Sequence, residues 1–136
     1  SFQIASGQSR AVHIFECPID LLSYEALLKM RGYDYTKINL VSLAGVYSPA
    51  KNIYESKVPV ALQRYLERYP DTQKIVTHFD NDRTGVLAAE AIKILLQSKY
   101  MVVDSPPPKG KDFNDFLCIE KNIHQNKTVI RRDERE

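Results

Sequence analysis

The sequence predicts an α/β fold: a mostly parallel, four-stranded sheet flanked by helices. Apolar runs of strand length alternate with stretches whose apolar residues recur at helical spacing. Several of the short runs are apolar at successive positions, as strands covered on both faces must be. Gly, Pro and Asp mark the boundaries between them. Strands separated by helices pair in parallel through right-handed crossovers.

Each element has its own signal. Ala11 to Phe15 (AVHIF) is an apolar run closed by Glu16, and it reads as a buried strand. Pro18 follows, and its missing N–H suits a first helical turn. Leu22, Ala26 and Met30 then recur at helical spacing until Gly32. Ile38 to Leu43 is the second strand, closed by Gly45 and a loop through Pro49. Leu62, Tyr65, Leu66 and Tyr69 lie at i, i+3, i+4 and i+7, which predicts a helix between Pro59 and Pro70. Lys74 to Phe79 (KIVTHF) is the third strand and runs into Asp80-Asn81-Asp82-Arg83-Thr84-Gly85. Ala88, Ala91, Ile92, Leu95 and Leu96 mark the apolar face of the next helix. Tyr100 to Val103 is the fourth strand. Pro106-Pro107-Pro108 blocks regular structure until a last short helix near Asn114 to Ile119. The expected organisation is one domain over 1–121 and a C-terminal extension or tail over 122–136, with Thr128 to Ile130 as a candidate terminal strand.

The chain has 136 residues, 43% of them hydrophobic, which suits one core and excludes wholesale disorder. No apolar run approaches the ~20 residues of a membrane helix, and no signal peptide opens the chain. The expectation is therefore a soluble, cytoplasmic domain without a membrane partner. A formal charge of +2 excludes a strongly basic footprint, so phosphate binding falls to local patches, bound cations or neighbouring domains. Cys17 and Cys118 make neither a disulfide framework nor a four-ligand zinc site, which leaves reduced thiols. The first residue is not Met, and the last seven are Ile-Arg-Arg-Asp-Glu-Arg-Glu. A fragment of a larger protein is the expected origin, with a processed N-terminus as the alternative.

In an open parallel sheet, ligands collect outside the carboxyl ends of the strands. Glu16 stands at that end of the first strand and Asp80 and Asp82 at that of the third. Asp104 ends the fourth, with Asp112 and Asp115 beyond it. The topology thus predicts acidic residues converging from three strands. Asp80 and Asp82, two apart in an extended segment, share a side, with Asn81 pointing away. Hard cations such as Mg²⁺ prefer carboxylate oxygens. Gly85 permits a tight turn into the next helix, whose N-terminus favours an anion. The alternative for either aspartate is an N-cap of that helix. Lys109-Gly110-Lys111-Asp112-Phe113-Asn114-Asp115 also has two readings. In one, the lysines hold phosphate oxygens while Asp112, with Asn114 or Asp115, supports a metal. In the other, the loop is solvated and Asp112 caps the last helix.

His13, mid-strand, reads as a packed core histidine. His78 is either a strand-end packing residue or an acid–base group lining the site. Cys17, beside Glu16 but without a paired base, reads as a small buried residue.

Glu16 at a first strand end, Asp80-x-Asp82-x-x-Gly85 at a later one and the downstream Asp-rich loop together resemble the Toprim domain. That domain is shared by bacterial replicative primases, type IA and type II topoisomerases and some nucleases. The resemblance spans Ala11 to Leu117 and implies a Rossmann-like sheet. Phe15-Glu16-Cys17-Pro18-Ile19-Asp20-Leu21-Leu22-Ser23-Tyr24 looks like the glutamate motif of primase-like Toprim proteins of plasmids and mobile elements. Lys111-Asp112-Phe113-Asn114-Asp115-Phe116-Leu117 resembles their final motif. Asn114 stands where a replicative primase usually has a second aspartate, and a full two-metal site there would need Asp115 to substitute.

The resemblance implies that Glu16 is a general acid or base or a metal ligand. It implies that Asp80 and Asp82 bind Mg²⁺ or Mn²⁺, assisted by Asp112, with Asn114 and Asp115 as further ligand candidates. Arg83, Lys109 and Lys111 become candidates for phosphate contacts. The expected function is metal-dependent nucleotidyl transfer on DNA, primase-like, in replication or mobile-element maintenance. The partners would be single-stranded template DNA, nucleotides and the parent protein's other domains. The competing readings are a nuclease of the same superfamily and a non-catalytic nucleic-acid-binding module.

Overall fold

Ala11–Phe15 (β2) forms the centre of the sheet, where it pairs in parallel with Asn39–Ser42 (β3) on one side and Lys74–Thr77 (β4) on the other. Met101–Asp104 (β5) adds a fourth parallel strand beyond β4. The opposite edge carries Gln3–Ile4 (β1), antiparallel to β3, so the order is β1-β3-β2-β4-β5. The structure, a computed structural model, describes residues 3–4, 9–43 and 56–123. The loop through Gly45 and Pro49, the extension after residue 123 and the candidate strand at Thr128 to Ile130 lie outside them. All four expected strands are present. β1 is an addition, and two residues are too few to carry a periodic signal.

The connections are helical: Pro18–Met30 (α1) follows β2, Val60–Arg68 (α2) precedes β4, and Arg83–Leu96 (α3) joins β4 to β5. Residues 113–123 form a last helix (α4), longer than the expected short one. A 3₁₀ turn at Tyr35–Lys37 leads into β3.

Strand alternation divides the interior into two layers. Val12, Ile14, Val41 and Ile75 pack with Leu62 and Tyr65 of α2 and with Ala88, Ala89 and Ile92 of α3. On the opposite face, Phe15 and Leu40 pack with Leu21 and Leu27 of α1 and with Phe113, Phe116 and Leu117 of α4. The result is a three-layer α/β/α arrangement.

α1 lies where the spacing predicts, but it buries a different set of side chains. Leu22 and Met30 are about half exposed, at 48% and 47%, whereas Asp20, Leu21, Ser23 and Leu27 are buried. The helix is wedged between the sheet and α4, so its buried surface follows both neighbours rather than one stripe.

Candidate metal centre

The site begins where β2 ends. Glu16 follows the strand directly, and Cys17 is the N-cap of α1, with Pro18 in the first turn. That places Asp20 one turn into the helix, facing back toward the strand end. Asp20 is 3% exposed, and both of its oxygens accept hydrogen bonds: from the Cys17 thiol at 3.0 Å and from the Asn114 backbone N–H at 3.4 Å. The Cys17 thiol is pushed up to about 11 by burial and by donating to Asp20, so it stays protonated as a donor.

β4 delivers the second part. Asp80 is half-buried at the strand exit, and its backbone N–H donates to Glu16 Oε1 at 3.4 Å. Asp82 is the N-cap of α3 and accepts the Gly85 N–H at 2.7 Å. The two readings of the Asp80/Asp82 pair thus divide, Asp82 capping the helix and Asp80 joining the acidic cluster. Gly85 has a steric reason to be glycine. A Cβ there would overlap the Asp80 carbonyl oxygen and stand 3.0 Å from its carbonyl carbon.

The loop after β5 completes the cluster. Asp112 caps α4 by accepting the Asp115 N–H at 2.8 Å, while Asp115 Oδ2 reaches back to the Lys111 N–H at 3.2 Å. This reciprocal pattern is close to a capping box. Lys111 Nζ lies 3.9 Å from Asp82 Oδ2, a solvent-exposed pair.

Carboxylate oxygens of Asp20, Asp80 and Asp112, contributed by α1, the β4 exit and the α4 cap, all lie within 4.8 Å of one another. Burial, followed by the carboxylates of Glu16, Asp20, Asp112 and Asp82, pushes Asp80 up to about 7. Burial is also the main cause raising Glu16. Asp82 and Asp20 add to that shift, while the Asp80 N–H and Lys111 oppose it. Asp20 is raised in turn, first by burial, with the Cys17 thiol acting against it. Packed carboxylates disfavour one another's ionised form, and a bound cation relieves that penalty. The donor set is all oxygen, which fits a hard divalent cation such as Mg²⁺ or Mn²⁺.

The expected residues do not all play the same part here. Asp80 and Asp112 meet with Asp20 in the cluster, and Glu16 and Asp82 flank it. Asn114 is tied to α1 instead, where its side-chain oxygen accepts from Ser23 Oγ at 3.4 Å. Asp115 is exposed and engaged in the α4 cap. Asp104 does not join the cluster: it accepts from Thr77 Oγ1 at 2.8 Å and lines a groove with Ala89, Glu90 and Lys93 of α3. Arg83 and Lys109 are exposed at the same end of the sheet. Asn81 is exposed, and its side-chain amide donates to the loop after β5. The sequence reading did not single out Asp20, whose place in the cluster comes from contacts across the fold.

The two histidines are hydrogen-bonded to each other, and His78 also to the loop after β5. His78 Nδ1 donates to the Ser105 carbonyl at 2.7 Å, which leaves Nε2 to accept the His13 Nδ1–H, also at 2.7 Å. The rings lie nearly parallel, at 5°, and meet edge to edge through that bond. Burial holds His78 down to about 3 and His13 to about 4, so both are neutral. An aromatic-lined cavity of about 170 Å³, bounded by Tyr24, Arg31, Tyr33, Pro106 and Phe116, shares this loop but none of the carboxylates.

Among the described residues, no helix is long and apolar enough to cross a membrane. A family described as Toprim-like matches residues 13–117, a span containing every member of the acidic cluster. The crystal structure of the primase fragment of the bacteriophage T7 primase-helicase protein is similar in fold, with a TM-score of 0.50 and 19% sequence identity. The match covers 89% of this chain and 42% of that one. No curated protein matches the sequence.

Proposed function

The chain belongs to the Toprim-like family, and from that premise we propose that it is a metal-dependent, primase-like domain of a larger protein. It acts on DNA through phosphodiester, nucleotidyl-transfer chemistry, in replication or mobile-element maintenance. The observation that carries this reading is the meeting of Asp20, Asp80 and Asp112 from three separate elements, with Glu16 hydrogen-bonded to the Asp80 backbone beside them.

Asp20, Asp80 and Asp112 are the residues that would hold Mg²⁺ or Mn²⁺, with Asp82 and Glu16 flanking. The cation, when bound, supplies charge neutralisation at the phosphate oxygens. Glu16, raised by burial, accepts the proton of the attacking hydroxyl or returns one to the leaving oxygen. Lys111, Lys109 and Arg83 contact phosphate oxygens along the rim. Asp115 and Asn114 support the loop that presents Asp112. The modest net charge leaves much of the grip on single-stranded template to the parent protein's other domains.

The test is oligonucleotide synthesis by the full-length protein on single-stranded DNA with nucleotides and Mg²⁺ or Mn²⁺. Product that disappears in Asp80→Asn supports the reading. Metal-dependent cleavage without incorporation would instead make the protein a nuclease using the same carboxylates on water. DNA binding with no activity, unchanged by Asp80→Asn, would make it a binding module.

A further inference from the structure

The side chain of Asn81, between the two aspartates of the β4 exit, makes two hydrogen bonds to the backbone of another loop. Its amide nitrogen donates to the Pro107 carbonyl at 2.7 Å and to the Gly110 carbonyl at 2.9 Å. Its backbone N–H donates to the Lys111 carbonyl at 2.6 Å. His78, three residues earlier, donates to the Ser105 carbonyl of the same loop. Four bonds thus run from His78 and Asn81 donors to carbonyls of the loop.

The composition of the loop explains why the donors come from outside. Pro106, Pro107 and Pro108 have no N–H, so this stretch cannot pair with itself as a strand or turn does. Gly110, at φ +80°, turns the chain so that its carbonyl and that of Pro107 both reach one side-chain amide. Only an NH₂ group satisfies two acceptors here, which fixes the orientation of the Asn81 amide. The next residues along the chain are Lys111 and Asp112.

We propose that Asn81 is a positioning residue: it pins the Pro107–Lys111 backbone to the Asp80–Asp82 turn and thereby sets where Lys111 and Asp112 stand in the site. The pin itself is independent of function. Its consequence for cation binding rests on the metal-centre reading above.

Asn81→Asp keeps the side-chain shape but replaces the donors with a carboxylate facing two carbonyls; Asn81→Ala removes the group. Amide hydrogen exchange of the metal-free chain, followed at residue 81 and at Lys111, reads the pin directly. If the donors matter, exchange at both amides quickens by about fivefold or more, and Asn81→Asp is at least as affected as Asn81→Ala. Exchange in Asn81→Asp equal to wild type would overturn the proposal, because the residue would then act by packing alone. Titration with Mn²⁺ reads the consequence. Weaker Mn²⁺ binding in both variants, with melting temperature little changed, supports positioning of Asp112. Wild-type Mn²⁺ affinity despite faster exchange would overturn it. If the wild-type chain itself takes up no Mn²⁺, the metal-centre reading falls while hydrogen exchange still decides the role of Asn81.

Discussion

Gly85 and Asp80 meet backbone to backbone: the first turn of α3 sits so close to the strand exit that a single methyl at residue 85 has nowhere to go. The obstacle is main chain, which cannot rotate aside as a flexible side chain can. Gly85→Ala must therefore push α3 away from the β4 exit or displace Asp80. The expected cost is about 1–3 kcal/mol, the range for overpacking a tight site, measured by urea unfolding. Mn²⁺ affinity should fall in the same variant, because Asp80 moves out of reach of Asp20 and Asp112.

Asp80 gives the metal-free protein an unusual pH response. Its carboxyl is raised from 3.8 to about 7. The folded state therefore holds a proton between pH 4 and 7 that the unfolded chain has released. The stability due to this group is full below pH 4 and is lost as pH rises toward 7. Asp80→Asn should remove that fall, leaving the variant more stable than wild type at pH 8 without metal. Melting temperatures across pH 4–8 for both proteins check it. Cation binding should strengthen over the same interval as the proton is displaced.

The histidine pair works in the opposite direction. His78 is held down to about 3 from 6.5, so the unfolded chain takes up a proton below pH 6.5 that the folded chain refuses. Stability is thus lost as pH falls from 6.5 toward 3. His78→Phe should flatten this acid limb. At pH 7 it should also cost about 1–3 kcal/mol, because the Ser105 carbonyl and the His13 N–H lose their partner in a buried setting. Acid unfolding curves distinguish the two effects.

Lys111 separates stability from binding. Its pair with Asp82 is long and exposed, so Lys111→Gln should change unfolding free energy by less than about 1 kcal/mol. Under the proposed function, nucleotide affinity should drop and its dependence on salt should become shallower, because the proposed phosphate contact of Lys111 is removed. Nucleotide titrations at two ionic strengths provide the check.

The parallel sheet was legible because each of its four strands is a largely apolar stretch of strand length with a breaker beyond its end. The acidic edge was legible because topology alone carries Glu16, Asp80 and Asp112 to one side. β1 was not, since its two residues gain their strand character only by pairing with β3. Leu22 and Met30 misled because helical spacing reveals that a face exists, whereas the position of α4 decides which residues are covered. Asp20 and Asn81 escaped for a related reason. Each is defined by what it touches across the fold, 94 residues away for Asp20 and Asn114, and no local pattern encodes such a contact.

The crossover topology has a consequence for assembly. Asp20, Asp80 and Asp112 come together only after two parallel pairings, β2 with β4 and β4 with β5, have closed long loops of chain. Such non-local closures are the slow events of folding. A partly folded intermediate lacking the β4–β5 pairing has only two of the three carboxylates in place. A divalent cation bound to the trio would select the finished fold by mass action, and so would serve as a late check on assembly.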